Sequence, residues 1–451
     1  MNIAEKLSDY SYSINFENLP KEVIHEVKKR VIDSLGCAMG AFNSKPCKIA
    51  RDVANLYSGK FAATILGTKN KSSVSLASFS NCAMVRYLDF NDTYLSKEPA
   101  HPSDNICAAL AIAEAENSSG KELITAIVLG YEIQCRLCDA ASLRSKGWDH
   151  VTYGAFSTSL MASKLMKLPK TKIVHALGLA GTPNIALRQT RVGELSMWKG
   201  CAFANSAIGG IFAAMLAREG MTGPAPIFEG EKGFMKQVTG PFKISFDGRF
   251  KRFKIMDTYI KKYPAEYHSQ ASIESALKLR KELDNINNIK SIDVEIYKAA
   301  VDIIGGEKEK WNPKTKETAD HSLPYIIGAA LIDGTIDLSS FTSKRINDKK
   351  LRSLVQKVAV RENKDFTKQY PKSFPQKIII NLKSGKRISS ELAYPHGHPK
   401  NPMTDQEVEN KFRGLSKGLL PQKQMDDVLK KLWNLEKIKN LKDLISMLII
   451  K

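Results

Sequence analysis

A mainly α fold is expected, with a large helical domain built from both chain ends and a smaller α+β domain inserted between them. Three observations predict it. Apolar residues recur at helical spacing from near the N-terminus to about residue 265. From there to about residue 395, short runs alternate apolar and polar residues, the period of strands, with helical patterns interspersed. Helical spacing returns after the Pro-, Gly- and His-rich connection "YPHGHP". The expected domains are 1–265 with 396–451, helical, and 266–395, α+β.

The elements follow in order. "LPKEVIHEVKKRVIDSLGCAMGAF" places Val23, Val27, Val31 and Leu35 at i, i+4 spacing behind Pro20. Gly36 and Gly40 fall among small residues there, a sign of close helix packing. Further helices are expected in "CAALAIAEA", "GKELITAIVLGYEIQCRLCDAA", "GAFSTSLMASKLMKL" and "TKIVHALGLAG". "NSAIGGIFAAMLAREG" is apolar almost all round and is expected to be a buried helix. In the inserted part, "SIDVEIY" alternates Ile292, Val294 and Ile296, and "KVAVRE" repeats the pattern with Val358 and Val360. "KIIINLKSGKRISSEL" reads as a hairpin turning at Ser384, Gly385 and Lys386. The last stretch, including "QEVENKFRGL" and "QMDDVLKKLWNL", is helical again.

Bulk properties exclude several functions. The 451 residues, 43% of them hydrophobic, suffice for two or three domains with a sizeable core. The longest apolar runs, such as "GIFAAMLA", fall far short of the roughly 18–20 residues that span a bilayer. Charges at the N-terminus stand where a signal peptide would be apolar. No membrane association and a cytoplasmic location are expected. The seven cysteines are odd in number in a long chain, against a disulfide scaffold. Cys135 and Cys138 share a helical pattern and read as two thiols on one face, with no second pair at zinc-site spacing. No metal and no cofactor are expected. The net charge of +21 comes from lysines scattered along the chain, without a nucleic-acid-binding motif. That favours an anionic substrate over nucleic acid; a basic binding protein without catalysis is the outside alternative.

Four polar stretches carry the chemistry. The first, "LDFNDTYLSKEPAHPSDN", holds Asp89, Thr93 and His101 between two apolar segments. Ser103 and Asp104 at its end read as caps of the next helix. The second, "RSKGWDHVTYG", holds Asp149 and His150; the third, "LRQTRVGELSMWKG", holds Arg188, Arg191 and Lys199. The fourth, "IKKYPAEYHSQ", holds Lys262 and His268, and "DHSLPY" adds His321. His25 and His175 sit in ordinary amphipathic patterns, and His396 and His398 in a hinge-like loop; all four read as structural. The four stretches fall at helix ends or turns, where side chains can converge on a pocket. Histidine is suited to taking a proton from a carbon next to a carboxylate. Lysine and arginine are suited to the charge that develops there and to binding a polycarboxylate. With no Gly-rich phosphate loop, dinucleotide fingerprint or HExxH, a cofactor-free lyase or isomerase acting on an anionic acid is the reading of the residues alone.

Together "LDFNDT", "HPSDN", "GYEIQ", "DHV", "ALRQTRVGELSMWK", "YPAEYHSQ", "DHSLPY" and "YPHGHP" resemble the MmgE/PrpD family, in order, to about residue 415. The resemblance implies a homodimer of helical domains, each with a smaller α+β lid and a site in the cleft. It implies dehydration of a small tricarboxylate, 2-methylcitrate, to 2-methyl-cis-aconitate in the methylcitrate cycle of propionate metabolism, without a metal. Citrate or cis-aconitate are possible further substrates. Decarboxylation of cis-aconitate, or an epimerase activity, is the alternative within the family. Carried over by position, the resemblance assigns catalysis to Asp89, Thr93, His101, His150 and His268. It assigns substrate binding to Lys199, Lys262, Arg191, His321 and Tyr325. Decarboxylase members of the family have a His three residues after the cleft lysine, where this chain has Ala202. That departure favours dehydration.

Overall fold

The computed structural model describes residues 1–246 and 250–450. They form two compact units, one of Met1–Arg191, Met197–Thr258 and Thr404–Lys451, the other of Val192–Ser196 and Tyr259–Met403. The chain passes to the second unit at Tyr259, ahead of the boundary expected at 266, and returns at Thr404 rather than at 396.

The first unit is helical. Its elements are α1 (Ile3–Ser13), α2 (Lys21–Ala41), α3 (Lys45–Asn55), α4 (Val74–Tyr87) and α5 (Asp104–Ala115). Then come α6 (Gly120–Ala140), α7 (Thr152–Leu165), α8 (Lys170–Gly181) and α9 (Ala202–Arg218). C-terminal helices Asp405–Ser416, Gln422–Leu432 and Lys442–Ser446 complete it. In α2 the expected stripe Val23, Val27, Val31 and Leu35 is buried, and Pro20 stands at the N-cap, where its missing N–H costs nothing. Gly36 lets the two chain ends meet: a Cβ there would lie 3.0 Å from the Phe412 Cα. At the α7–α9 contact a Cβ on Gly210 would lie 2.0 Å from the Thr158 Oγ1, so only glycine permits this approach.

Two expectations for this unit are corrected. It is not wholly helical: β1 (Ala62–Thr64) pairs antiparallel with β2 (Lys71–Ser73). Each strand has three residues, too few for alternation to register in the sequence. Glu114 of α5 fixes β1 by accepting the Thr64 N–H and hydroxyl, each at 2.7 Å. Nor is α9 buried all round. Asn205 and Phe212 are exposed and Ile208, Met215 and Leu216 half-buried, on one side of the helix. Apolar character all round predicts burial only when every face has a partner, and within this unit α9 packs mainly on α4, α7 and α8. All seven cysteines are buried free thiols, and burial pushes Cys135 and Cys138 well above the ordinary thiol range.

The second unit holds a sheet of β3 (Ile289–Ile296), β4 (Val358–Glu362), β5 (Gln376–Leu382) and β6 (Arg387–Leu392), in the order β4-β3-β5-β6. β3 runs parallel to β4 and antiparallel to β5. Ile292, Val294 and Ile296 are buried, as their alternation requires. The β5–β6 hairpin turns at Gly385, whose φ of 89° lies in the left-handed region. α10 (Gln270–Arg280) packs on β5, β6 and helix Leu323–Asp333. Long helices with two small sheets among the described residues make the fold mainly α. Among the described residues no helix is long and apolar enough to cross a membrane.

Candidate functional site

The site in the first unit starts where α4 ends. Asp89 follows the helix with φ 53°, a left-handed conformation that a short polar side chain tolerates better than most. Its carboxylate is held on one oxygen by the Arg86 guanidinium, one turn back on α4. Its other oxygen lies 3.5 Å from the Lys199 ammonium. All three side chains are buried. A residue held in strained backbone by charged partners is a common mark of a functional site.

The chain then loops out and returns. Tyr94 and Ala100 exchange backbone hydrogen bonds at 2.8 and 2.9 Å, and this pinch sets Thr93 beside His101. The His101 Nδ1 lies 2.8 Å from the Asp92 carbonyl oxygen and 3.3 Å from the Thr93 hydroxyl. A carbonyl can only accept, so Nδ1 carries the hydrogen. The His101 Nε2 lies 2.9 Å from the Arg86 Nη2, which can only donate, so Nε2 is the acceptor. The His101 and His150 rings meet edge to face with centroids 5.7 Å apart.

His150 enters from the turn before α7. Burial, the largest cause, pushes it down to about 3, against the opposing pull of Asp149. It is therefore neutral near pH 7. Its Nδ1 has no hydrogen-bond partner among the described residues, and its Nε2 lies 3.6 Å from an Asp149 oxygen. Burial raises Asp149, but the Arg191 guanidinium at 3.0 Å, His150 and the Val151 N–H together outweigh it and hold the carboxyl below its ordinary range. Arg191 also approaches the Lys199 carbonyl, at 3.5 Å. The first unit thus brings together Asp89, Thr93, His101, His150, Arg191 and Lys199, six of the ten expected residues.

The expected capping role of Ser103 and Asp104 is corrected. Ser103 already has helical backbone angles, φ −63° and ψ −16°, and makes no cap bond with its side chain. From that conformation the side chain cannot turn back to the first helical N–H groups. Asn91 instead donates to the Ser103 hydroxyl at 2.9 Å and to Asp104 at 2.7 Å. The anion at this helix start is Asp92. It accepts the Ser103 N–H at 2.9 Å and the Tyr131 hydroxyl at 2.7 Å, with the Arg30 Nε at 3.5 Å. Burial lifts Asp104 to about 7 despite Arg86.

That shift has a consequence for stability. Asp104 keeps its proton in the native state up to about pH 7, whereas the unfolded carboxyl ionises near 4. Between those values the native state binds more protons, so this group makes the protein less stable as pH rises through the window. Asp104→Asn removes the effect. Its Tm should gain on the parent's between pH 4 and 7 and hold that gain above 7; a difference that does not change with pH would rule the shift out. His150, shifted the other way, is present in both proteins and cancels.

The other four expected residues belong to the second unit. The His268 Nδ1 lies 2.5 Å from the Tyr297 hydroxyl, and the His268 N–H donates to Glu266 at 2.7 Å. The His321 Nδ1 lies 2.6 Å from Asp320, whose other oxygen accepts from Lys316 at 2.8 Å. Glu266 N–H donates to the Asp320 carbonyl at 2.9 Å, joining the two histidine-bearing stretches. Tyr325 is corrected: it is a buried residue of helix Leu323–Asp333, and its hydroxyl donates to the Ser340 carbonyl at 2.5 Å. That commitment leaves no donor for a substrate carboxylate. Lys262 is exposed, whereas its neighbour Lys261 is buried, at 0% exposure. Neighbours on extended chain face opposite sides, and the side, not the residue type, decides which is buried.

Arg86, Asp92 and Asn91 escaped the sequence reading. Arg86 left one signal, since it is the sole charged residue in α4.

A buried imidazole and a half-buried one beside paired acid and base, with an aspartate in a strained turn, form a site assembled from separate stretches of one polypeptide. Comparison with known proteins tests whether those stretches recur together. Residues 5–247 match the MmgE/PrpD N-terminal domain, and residues 263–435 match the MmgE/PrpD C-terminal domain. The chain is 26% identical over 425 residues to the 2-methylcitrate dehydratase of Escherichia coli (strain K12), covering 86% of this chain and 84% of that protein. It is 24% identical to the mitochondrial 2-methylcitrate dehydratase of Yarrowia lipolytica over 95% of this chain and 86% of that one. It is 25% identical to the cis-aconitate decarboxylase of Homo sapiens over 99% of this chain and 94% of that one. The two domain matches together span most of the polypeptide, and on that ground the chain belongs to the MmgE/PrpD family.

Proposed function

We propose that the chain is a lyase, and specifically that it dehydrates 2-methylcitrate to 2-methyl-cis-aconitate. The observation that carries the reading is the pair His101 and His150, with ring centroids 5.7 Å apart, beside the Lys199–Asp89 pair. In the reaction a C–H bond next to a carboxylate and a C–O bond break and a C=C bond forms. The proton leaving carbon goes to one of these imidazoles, and the hydroxide leaves as water with a proton from the Lys199 ammonium beside Asp89. His150 is suited to the first step, with an Nδ1 that no group among the described residues engages and an Asp149 carboxylate behind Nε2. Its low basicity comes first from burial. A bound tricarboxylate brings negative charge that favours the imidazolium, so substrate itself raises the base strength. Lys199 and Arg191 supply positive charge for the carboxylates. His268, His321 and Lys262, in the second unit, are proposed as functional residues of that unit. No cofactor enters this scheme.

The relatives named 2-methylcitrate dehydratase support dehydration. The human relative named cis-aconitate decarboxylase supports the second reading, loss of CO₂ from cis-aconitate. Mixing the protein with 2-methylcitrate in the presence of EDTA should raise ultraviolet absorbance as the conjugated double bond forms. No rise with 2-methylcitrate or citrate removes the dehydratase reading.

A cytoplasmic homodimer belongs to the same proposal. The first unit leaves Leu187, Trp198 and Phe212 exposed, at 63%, 46% and 54%, apolar surface of the kind that marks an interface. Light scattering should give twice the 50.1 kDa chain mass, and a monomer at working concentration contradicts the dimer.

A further inference from the structure

We infer that Arg86 is a positioning residue that holds His101 as a neutral imidazole with Nε2 unprotonated. The inference rests on the proposed role of His101 in proton transfer.

The geometry is a fork. One terminal nitrogen of Arg86 grips Asp89. The other points at the His101 Nε2, at 2.9 Å. The Arg86 Nε faces the buried Asp104, with 3.9 Å to its Oδ2. Guanidinium is planar and always charged, so the directions of its two arms are fixed relative to each other. One side chain therefore sets the orientation of both the imidazole and the carboxylate.

The fork also fixes protonation. The His101 Nδ1–H is spent on the Asp92 carbonyl at 2.8 Å, so Nε2 is the ring atom left for chemistry. Arg86 has only donors to offer. A proton on Nε2 would set two donors against each other and bring two cations together. While Arg86 is in place, His101 is neutral, as burial makes His150 neutral. His101 then enters the reaction as a proton acceptor, not as a donor. Giving up the Nε2 bond still leaves Arg86 with the Asp89 carboxylate, so the cation is not stranded.

A purely structural arginine would not control the state of one imidazole nitrogen, and nitrogen NMR of ¹⁵N-histidine-labelled full-length protein reads that state directly. The His101 signals are identified by their loss in His101→Asn. At pH 7 the parent should show His101 protonated on Nδ1 and unprotonated, hydrogen-bonded, on Nε2. An imidazolium, or hydrogen on Nε2, overturns the inference without any Arg86 variant. In Arg86→Lys the charge stays between the two aspartates, but a single ammonium cannot serve Asp89 and His101 in the fork geometry. The Nε2 signal should move and kcat should fall at least about tenfold. In Arg86→Met kcat should fall about a hundredfold, the scale of a mispositioned proton-transfer group. In both, KM should stay within about threefold, because Arg86 is buried and is not among the proposed substrate-binding groups. An unmoved Nε2 signal or unchanged kcat in Arg86→Lys overturns the inference. If the parent turns over none of the acids tested, yet Nε2 moves in Arg86→Lys, the dehydratase reading fails and the hold on His101 stands.

Discussion

Replacing His101 by asparagine should lower kcat by about a hundredfold or more, the usual scale for a side chain that moves a proton in the transition state. Asparagine is chosen for its amide. Its Nδ2 stands near the place of the imidazole Nδ1 and can still donate to the Asp92 carbonyl, 2.8 Å away in the parent. The loop from Thr93 to His101 is held besides by the Tyr94–Ala100 pair. What asparagine lacks is Nε2, the atom that faces Arg86. The loss should fall on kcat and kcat/KM alike, as it does when an interaction is made chiefly in the transition state. An unchanged Tm would show that the fold survived. Full activity in this variant would remove His101 from the chemistry and leave His150 alone.

The second large effect is on stability and sits beside the first. Asp92 is 0% exposed and serves three buried partners: the Ser103 N–H, the Tyr131 hydroxyl and the Arg30 guanidinium. Asp92→Ala strands the Ser103 N–H and the Tyr131 hydroxyl, while Arg30 keeps Glu26 at 2.8 Å. Each buried donor left without its acceptor costs about 1–3 kcal/mol, so the two together cost several kcal/mol. At about 2–4 °C per kcal/mol for a domain of roughly this size, Tm should drop on the order of 10 °C. The same change should loosen the start of α5 and with it His101. A drop of less than about 2 °C would mean that Asp92 is not the hub its contacts describe.

How far the sequence foretold this structure differs by element. Regular elements were legible because burial imposes a period: the Val23–Leu35 stripe of α2 and the alternation in β3 each have one inward face. α9 misled because uniform apolarity says nothing about whether each face has a partner. The stretch from Leu88 to Asn105 was legible as a site, since a soluble chain seldom places so many polar groups between apolar helices without using them. Its inner wiring was not. Ser103 and Asp104 look like caps in any sequence, and only the helical backbone at Ser103 shows that they are not. Arg86 could have been suspected, as a lone charge in a helix of small and apolar residues. Lys261 and Lys262 are indistinguishable by sequence, and the local chain path alone decides that Lys261 is the buried one. Tyr325 was carried over by resemblance, and its bond to Ser340 could not be foreseen from "DHSLPY".

The central claim is that two neutral imidazoles beside Lys199 and Asp89 take water from a tricarboxylate. It is tested most directly by giving one preparation 2-methylcitrate and cis-aconitate in separate reactions and identifying the products by NMR. The account predicts 2-methyl-cis-aconitate from the first, and no CO₂ from the second. Release of CO₂ from cis-aconitate, with 2-methylcitrate left intact, would contradict it.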